Sequence, residues 1–256
     1  MERSRAGVRL TSGGAGVMIE IRRLLADLEA VTKAAHCNGI GKSGEFRLGV
    51  RIPPVGEPLR TLLAKWRNEH PCVALTICEM SDDEIQMAIE SRRLDVALVI
   101  GYSALPMIAT EVLYREQLFA AVPSDHPLFN HASVSWEALR QETILVQDWP
   151  NSHDTREFYA SVVGAGLPFQ SHSASKQSVF GLIGAGFGVT FAEESQSQVS
   201  FPGVVFKPIA ETNAYVDVRL AWLPDAEDAL IGRFISFMRD AARTTIPDNE
   251  SRRVSW

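Results

Sequence analysis

Cysteine is scarce in this chain. There are three in 256 residues (Cys37, Cys72 and Cys78), an odd number with no CxxC pair. Such spacing argues against a disulfide framework or a zinc ribbon, and the three read as reduced thiols of a cytosolic protein. The six histidines add no metal pattern: His126 and His131 lie in a proline-containing loop, and no HExxH is present. Long apolar runs are missing too. The basic start Met1-Glu2-Arg3-Ser4-Arg5 is not followed by the hydrophobic segment of a secretory signal. No run approaches the roughly 20 apolar residues that cross a bilayer. A cytoplasmic protein without a membrane partner is expected. Positive charge is also in deficit, with 25 Lys plus Arg against 31 Asp plus Glu and a net charge of −6. A surface of that sign repels phosphate, so these residues alone make a poor nucleic-acid ligand. Internal repeats and low-complexity segments are absent.

Local catalytic signatures are lacking as well. Gly41-Lys42-Ser43 resembles the end of a P-loop, but His36 occupies the position of its first glycine and a helix precedes it. Gly184-Ala185-Gly186-Phe187-Gly188 looks like a dinucleotide fingerprint placed backwards, after a helix and before a strand. Those glycines fit a helix C-cap and a tight turn. No GxSxG elbow marks a nucleophilic serine. Nothing local asks for an enzyme, and no cofactor is expected.

What is present is a hydrophobic fraction of 46%, enough for a large core in one or two compact units. Near the N-terminus Val17, Ile21, Leu24, Leu28 and Val31 recur at alternating spacings of four and three, the seam of a heptad. Two readings stay open on that spacing: a helix lying on its own domain, or a dimerising helix. His36 to Gly44 reads as a linker. Beyond it strands and helices alternate. Strands are expected at Phe46–Ile52, Val73–Ile77 and Asp95–Ile100, with helices at Gly56–Glu69 and from Ser81 to Arg92. The second helix opens with a capping box, Ser81 at N-cap and Glu84 at N3. The continuous apolar run at 95–100 fits a strand buried on both faces. Two short strands, Thr110–Leu113 and Gln117–Val122, should follow. A second strand-helix set then runs through Trp136–Arg140, Thr143–Val146, Asp154–Gly164, Gln170–Ser173, Ser175–Ala185 and Val189–Ala192. Late strands at Val204–Pro208 and Val216–Leu223 and a helix from Asp225 to Arg243 close the chain. The order implies an α/β fold with a parallel core.

With these elements in place, the residues resemble a known family. Met1-Glu2-Arg3-Ser4-Arg5-Ala6-Gly7-Val8-Arg9-Leu10-Thr11 is similar to the stretch of LysR-type transcriptional regulators that leads from the winged helix-turn-helix into a linker helix. Gly44-Glu45-Phe46-Arg47-Leu48-Gly49-Val50 resembles the first strand of their effector domain. His70-Pro71-Cys72-Val73 with Glu79, Arg93-Leu94-Asp95-Val96-Ala97-Leu98, Val122-Pro123 with His126-Pro127-Leu128, and Ala185-Gly186-Phe187-Gly188-Val189 follow in the family's order. The resemblance implies an α/β, two-lobed, periplasmic-binding-protein-like (type II) effector domain preceded by a long linker helix. Its implied parts are a wing remnant at 1–11, a dimerisation helix at 12–37, lobe I at 45–123 and 209–246, lobe II at 124–208 and a tail at 247–256. A small-molecule inducer would bind between the lobes. The heptad helix would pair subunits into a homodimer or tetramer, and DNA would be read only through an N-terminal domain missing from these residues. Met1 would then lie inside the wing, as an internal methionine taken for a start or in a truncated gene. The alternatives are a stand-alone intracellular solute-binding protein and a truncated, inactive or dominant-negative regulator.

In such a cleft, helix N-termini and loops converge on the ligand. The candidates are the turn Ile52, Pro53, Pro54, Val55; the pair Ser81 and Asp82; the loop Gly101, Tyr102; Trp149 and Asn151; and Ser175, Lys176, Gln177. Family members often place a serine or threonine in the first two turns, where it holds a ligand carboxylate. Here Ile52 and Pro53 fill the first turn, and Asp82 stands near the hydroxyl position of the second. Asp82, Asp83 and Glu84 largely cancel the attraction of that helix start for an anion. They serve either as dipole stabilisation and capping, or to favour a ligand that presents a neutral or cationic group, with Lys176 taking an anionic one. Trp149 either stacks on the ligand or packs ordinarily.

Overall fold

The computed structural model describes residues 2–4, 7–9, 17–18, 21, 24–25, 44–51, 53–101, 107–147, 154–164, 166–225 and 228–246. Two compact units emerge, one of Met1–Glu45 with His70–Ala74, the other of Phe46–Glu69 with Leu75–Trp256. In the first, strands β1 (Glu2–Ser4) and β2 (Gly7–Arg9) form an antiparallel ribbon with Glu2 opposite Arg9. Val17, Met18, Ile21, Leu24 and Leu25 are helical. Leu28 and Val31 of the proposed seam lie outside the described residues. Cys72 is disulfide-bonded, which corrects the reduced-thiol expectation there, whereas Cys78 keeps a free thiol. An odd cysteine count said nothing about whether two of the three could meet.

The second unit holds the rest of the fold, except that residues 44–45 and 73–74, the first two of its first and third elements, count with the first unit. Its elements are β3 (Gly44–Val50), α1 (Leu59–Glu69), β4 (Val73–Glu79), α2 (Asp82–Glu90), β5 (Val96–Ile100), β6 (Ala109–Pro123), α3 (Trp136–Leu139), β7 (Ile144–Gln147), α4 (Asp154–Val163), β8 (Phe169–His172), α5 (Lys176–Gly184), β9 (Thr190–Glu193), α6 (Glu194–Ser197), β10 (Val204–Pro208), β11 (Tyr215–Trp222) and α7 (Ala229–Thr245). The main sheet runs β10-β6-β11-β5-β3-β4, and β9 also pairs with β6. Strands β3 and β5 are parallel, with Leu48 opposite Val96 and Val50 opposite Leu98. Val96 to Val99 are all buried, as an apolar run covered on both faces should be.

One long strand replaces the two short ones expected around Tyr114-Arg115-Glu116. Each of those residues finds a partner or a buried seat within the ladder. Arg115 pairs with Asp217 of β11 at 2.6 Å, and Glu116 accepts the backbone N–H of Ser195. The backbone therefore needs no turn. Its first part pairs with β11 from Ala109 to Gln117; its last part pairs with β9 and β10 from Leu118 to Pro123. A single strand thus carries both the β11 pairing and the β9 and β10 pairings of an α/β, two-lobed fold.

Aromatic packing anchors the first lobe. Phe234 of α7 lies 4.4 Å from Phe46 and 4.8 Å from Trp66, ring centre to ring centre. Helix α7 begins at Ala229, later than expected, because Asp228 accepts the N–H of Leu230 and caps it. Helix α1 likewise starts at Leu59 and not Gly56. The capping box of α2 forms as read: Glu84 accepts the Ser81 N–H at 2.9 Å and Ser81 Oγ that of Glu84. In the second lobe β7 and β8 pair in parallel, and Trp136, Tyr159 and Phe191 share a core. The glycine stretch 184–188 closes α5 as a helix C-cap. Phe187 N–H reaches back to Leu182 O, Gly186 takes φ 81°, and a side chain at Gly188 would collide with Thr143 O.

Candidate functional site

In open α/β sheets the carboxyl ends of strands and the amino ends of helices point their unpaired groups the same way, which is where ligands bind. Four strand ends meet here. Arg51 follows β3, Ile100 ends β5, Gln147 ends β7 and Glu193 ends β9. Two helix starts join them, Asp82 of α2 and Lys176 of α5. With Pro53, Phe158, Tyr159 and Gln196 they line one cleft of about 480 Å³, counted out to its open mouth.

Its charges come in pairs. Arg51 Nε lies 3.4 Å from Asp82 Oδ2, and both side chains are nearly buried, 10% and 5% exposed. Across the cleft Lys176 is buried and donates its ammonium to Phe191 O. The same ammonium sits 5.5 Å from the Phe180 ring. Burial pulls the Lys176 pKa down to about 8, with the Glu193 carboxylate opposing that shift and Arg51 adding to it. Glu193 is 3% exposed, and its Oε2 has no hydrogen-bond partner among the described residues.

Glu116 lies close by on β6. Burial raises its pKa to about 7, against the lowering effect of hydrogen bonds from Ser195, and the Glu193 and Glu194 charges push it further up. The buried Tyr114 phenol is raised for the same reasons, desolvation first and then the charges of Glu116 and Glu193. One rim of the cleft is tightly closed. A side chain on Gly56 would fall 2.1 Å from Ser195 O, and Glu57 N–H donates to Gln198 Oε1 at 2.9 Å.

Of the residues expected from sequence, Pro53, Asp82 and Lys176 line the cleft. Ser81 and Ser175 are spent on capping α2 and α5. Pro54 is half-buried, Val55 and Gln177 are exposed, and Gly101 packs its backbone against Asp217. Ile52, Tyr102, Trp149 and Asn151 lie outside the described residues. Sequence reasoning passed over Arg51, Ile100, Gln147, Phe158, Tyr159, Glu193 and Gln196. A signal existed for two of them: Gln147 and Glu193 are polar residues ending otherwise apolar strands, ILVQ and TFAE.

Nothing in this geometry is arranged for bond-making. The lining holds no histidine, serine or cysteine among the described residues, and no group of three His, Cys, Asp or Glu could hold a metal ion among them. Paired charges, two glutamines and an apolar wall suit reversible binding of a small polar molecule. No described helix is long and apolar enough to cross a membrane.

Residues 39–243 match the LysR substrate binding domain family. The chain is 27% identical over 210 residues to the HTH-type transcriptional regulator XapR of Escherichia coli (strain K12), covering 80% of this chain and 70% of that protein. Its fold is similar to that of CbnR, a LysR family transcriptional regulator, with a TM-score of 0.70 at 18% identity, over 91% of this chain and 82% of that one. The effector-binding domain of a BenM variant superposes with a TM-score of 0.68 at 19% identity, over 78% of this chain and 94% of that domain.

Proposed function

Since this chain belongs to the LysR substrate-binding-domain family, and so to transcriptional regulators and not to enzymes, we propose that it senses a small metabolite in the inter-lobe cleft and passes that state to DNA through a dimer. The observation that carries the reading is the convergence of Arg51, Asp82, Gln147, Lys176 and Glu193 on one cleft. They come from both lobes, so a ligand touching all of them changes how the lobes close. Lobe I comprises 45–123 and 209–246 in this reading, and lobe II 124–208. The β1–β2 ribbon serves as the wing of a DNA-reading module. The helical residues Val17, Ile21 and Leu24 pair subunits, and the protein works in the cytoplasm. The solvent-exposed apolar side chains of Val17, Ile21 and Leu24 weigh against a monomeric solute-binding protein.

The test is a thermal-shift screen of the purified chain against a metabolite library, repeated on Gln147→Leu. That change removes a buried polar group from the cleft at nearly constant volume. At least one compound should raise the unfolding temperature of the parent and lose that effect in the variant. A library without any stabilising compound, or hits indifferent to the substitution, overturns the cleft as the sensor.

A further inference from the structure

We infer that the cleft is built for a small zwitterion, an α-amino acid with an apolar side chain, whose ammonium meets Glu193 and whose carboxylate meets Arg51. This rests on the cleft being the effector site and names the chemistry of its ligand.

The first argument is charge balance. Among the described residues the lining holds two cations, Arg51 and Lys176, and two carboxylates, Asp82 and Glu193. A ligand enclosed there leaves water, and any net charge it brings must be matched by the wall. A dicarboxylate would leave two negative charges unmatched in a nearly buried site, and a diamine two positive ones. A zwitterion adds none. It can also meet both signs, because the wall offers a cation and a carboxylate on each side. Arg51 is drawn to Asp82 on one lobe, and Lys176 neighbours Glu193 on the other.

The second argument is an unmet acceptor. Glu193 Oε2 is buried without a hydrogen-bond partner among the described residues, although the residue is only 3% exposed. A buried carboxylate oxygen in that state calls for a donor, and a charged donor is worth about twice a neutral one. Lys176 supplies Coulombic relief, but its ammonium donates to Phe191 O. Of the other groups around Glu193 among the described residues, Glu116 and Glu194 are acidic and Tyr114 is a neutral phenol. Gln196 accepts the Glu193 backbone N–H through Oε1, while the Glu193 side chain caps the Gln196 backbone N–H. An ammonium is the ligand group that answers both the charge and the geometry.

The third is the rest of the wall. Pro53, Ile100, Phe158 and Tyr159 give the cleft an apolar side beside its charges, against which an apolar side chain can lie.

The experiment measures binding of the common L-amino acids to the intact chain by calorimetry. The best binder is then compared with its own analogues lacking the ammonium or the carboxylate, with succinate, and with hits from the metabolite library. At least one apolar amino acid should bind on the order of 30-fold tighter than either analogue and than succinate. Glu193→Gln should weaken the amino acid about tenfold or more and leave its deaminated analogue unchanged or tighter. Should that variant not fold, the comparison of analogues on the unaltered protein decides alone. If no amino acid binds, or a dicarboxylate or the deaminated analogue binds as tightly, the inference is overturned. When a different class of library compound then still binds in a Gln147-dependent way, the sensor reading stands without it. A library in which nothing binds overturns both.

Discussion

Ser195 donates its backbone N–H to Glu116 Oε2 at 2.8 Å, tying the short helix α6 to the long strand β6. The price of that contact is a buried carboxyl whose pKa rises to about 7 from 4.5. Between those values the folded protein holds a proton that the unfolded chain has lost, so stability must fall as pH rises through the window and level off above about 7. Glu116→Gln should flatten this slope and leave the variant about 1–2 kcal/mol more stable than the parent above the window. Urea unfolding from pH 4 to 8 reads both effects, and an unchanged slope would assign the pH dependence to other groups.

Arg51 and Asp82 make a second, more local relationship. Both side chains are nearly buried, so neutralising one strands the other. Asp82→Asn and Arg51→Met should each destabilise by about 2–3 kcal/mol, and the double variant by clearly less than their sum. A double-mutant cycle in urea gives the coupling directly. Additive losses would mean that the pair is held by its surroundings and contributes little itself.

How far the sequence could be read follows from what each feature depends on. Local chemistry was legible: the Ser81–Glu84 box, the buried run of β5 and the glycine turn after α5 all depend on neighbours a few residues away. Long-range pairing was not. The ladder continues through Arg115 because it pairs with Asp217, 102 positions distant. The cleft was half legible for the same reason. Helix starts such as Asp82 and Lys176 announce themselves through caps, whereas Arg51, Gln147 and Glu193 matter only because the topology gathers their strand ends. Treating any polar residue at the end of an apolar strand as a candidate would have recovered Gln147 and Glu193.

Gly56 should be intolerant of any side chain. An alanine there would drive its Cβ to 2.1 Å from Ser195 O, a backbone atom that cannot rotate away. Gly56→Ala should cost about 2 kcal/mol or more, or pry open this rim of the cleft. Gly232, inside α7, is the control: nothing lies within 4 Å of a Cβ built there. Gly232→Ala should therefore gain about 0.5–1 kcal/mol, since alanine restricts the unfolded chain and suits a helix. Chemical denaturation of the two variants side by side checks both signs, and equal effects would show that close packing at Gly56 is not what fixes that residue.

The N-terminal helical residues make the last prediction. Val17, Ile21, Leu24 and Leu25 are 60%, 43%, 65% and 54% exposed, an apolar set that water should not face in a stable state. Heptad spacing suits burial of these residues against a second copy. The chain should run as a dimer or larger assembly in light scattering at micromolar concentration. Ile21→Asp with Leu24→Asp should shift it toward monomer, because two buried charges per helix cannot be matched across the seam. The melting temperature of the unit containing Phe46–Glu69 and Leu75 onward should change little, since none of its core lies in that helix. A double variant that stays fully dimeric would move the subunit contact elsewhere on the protein.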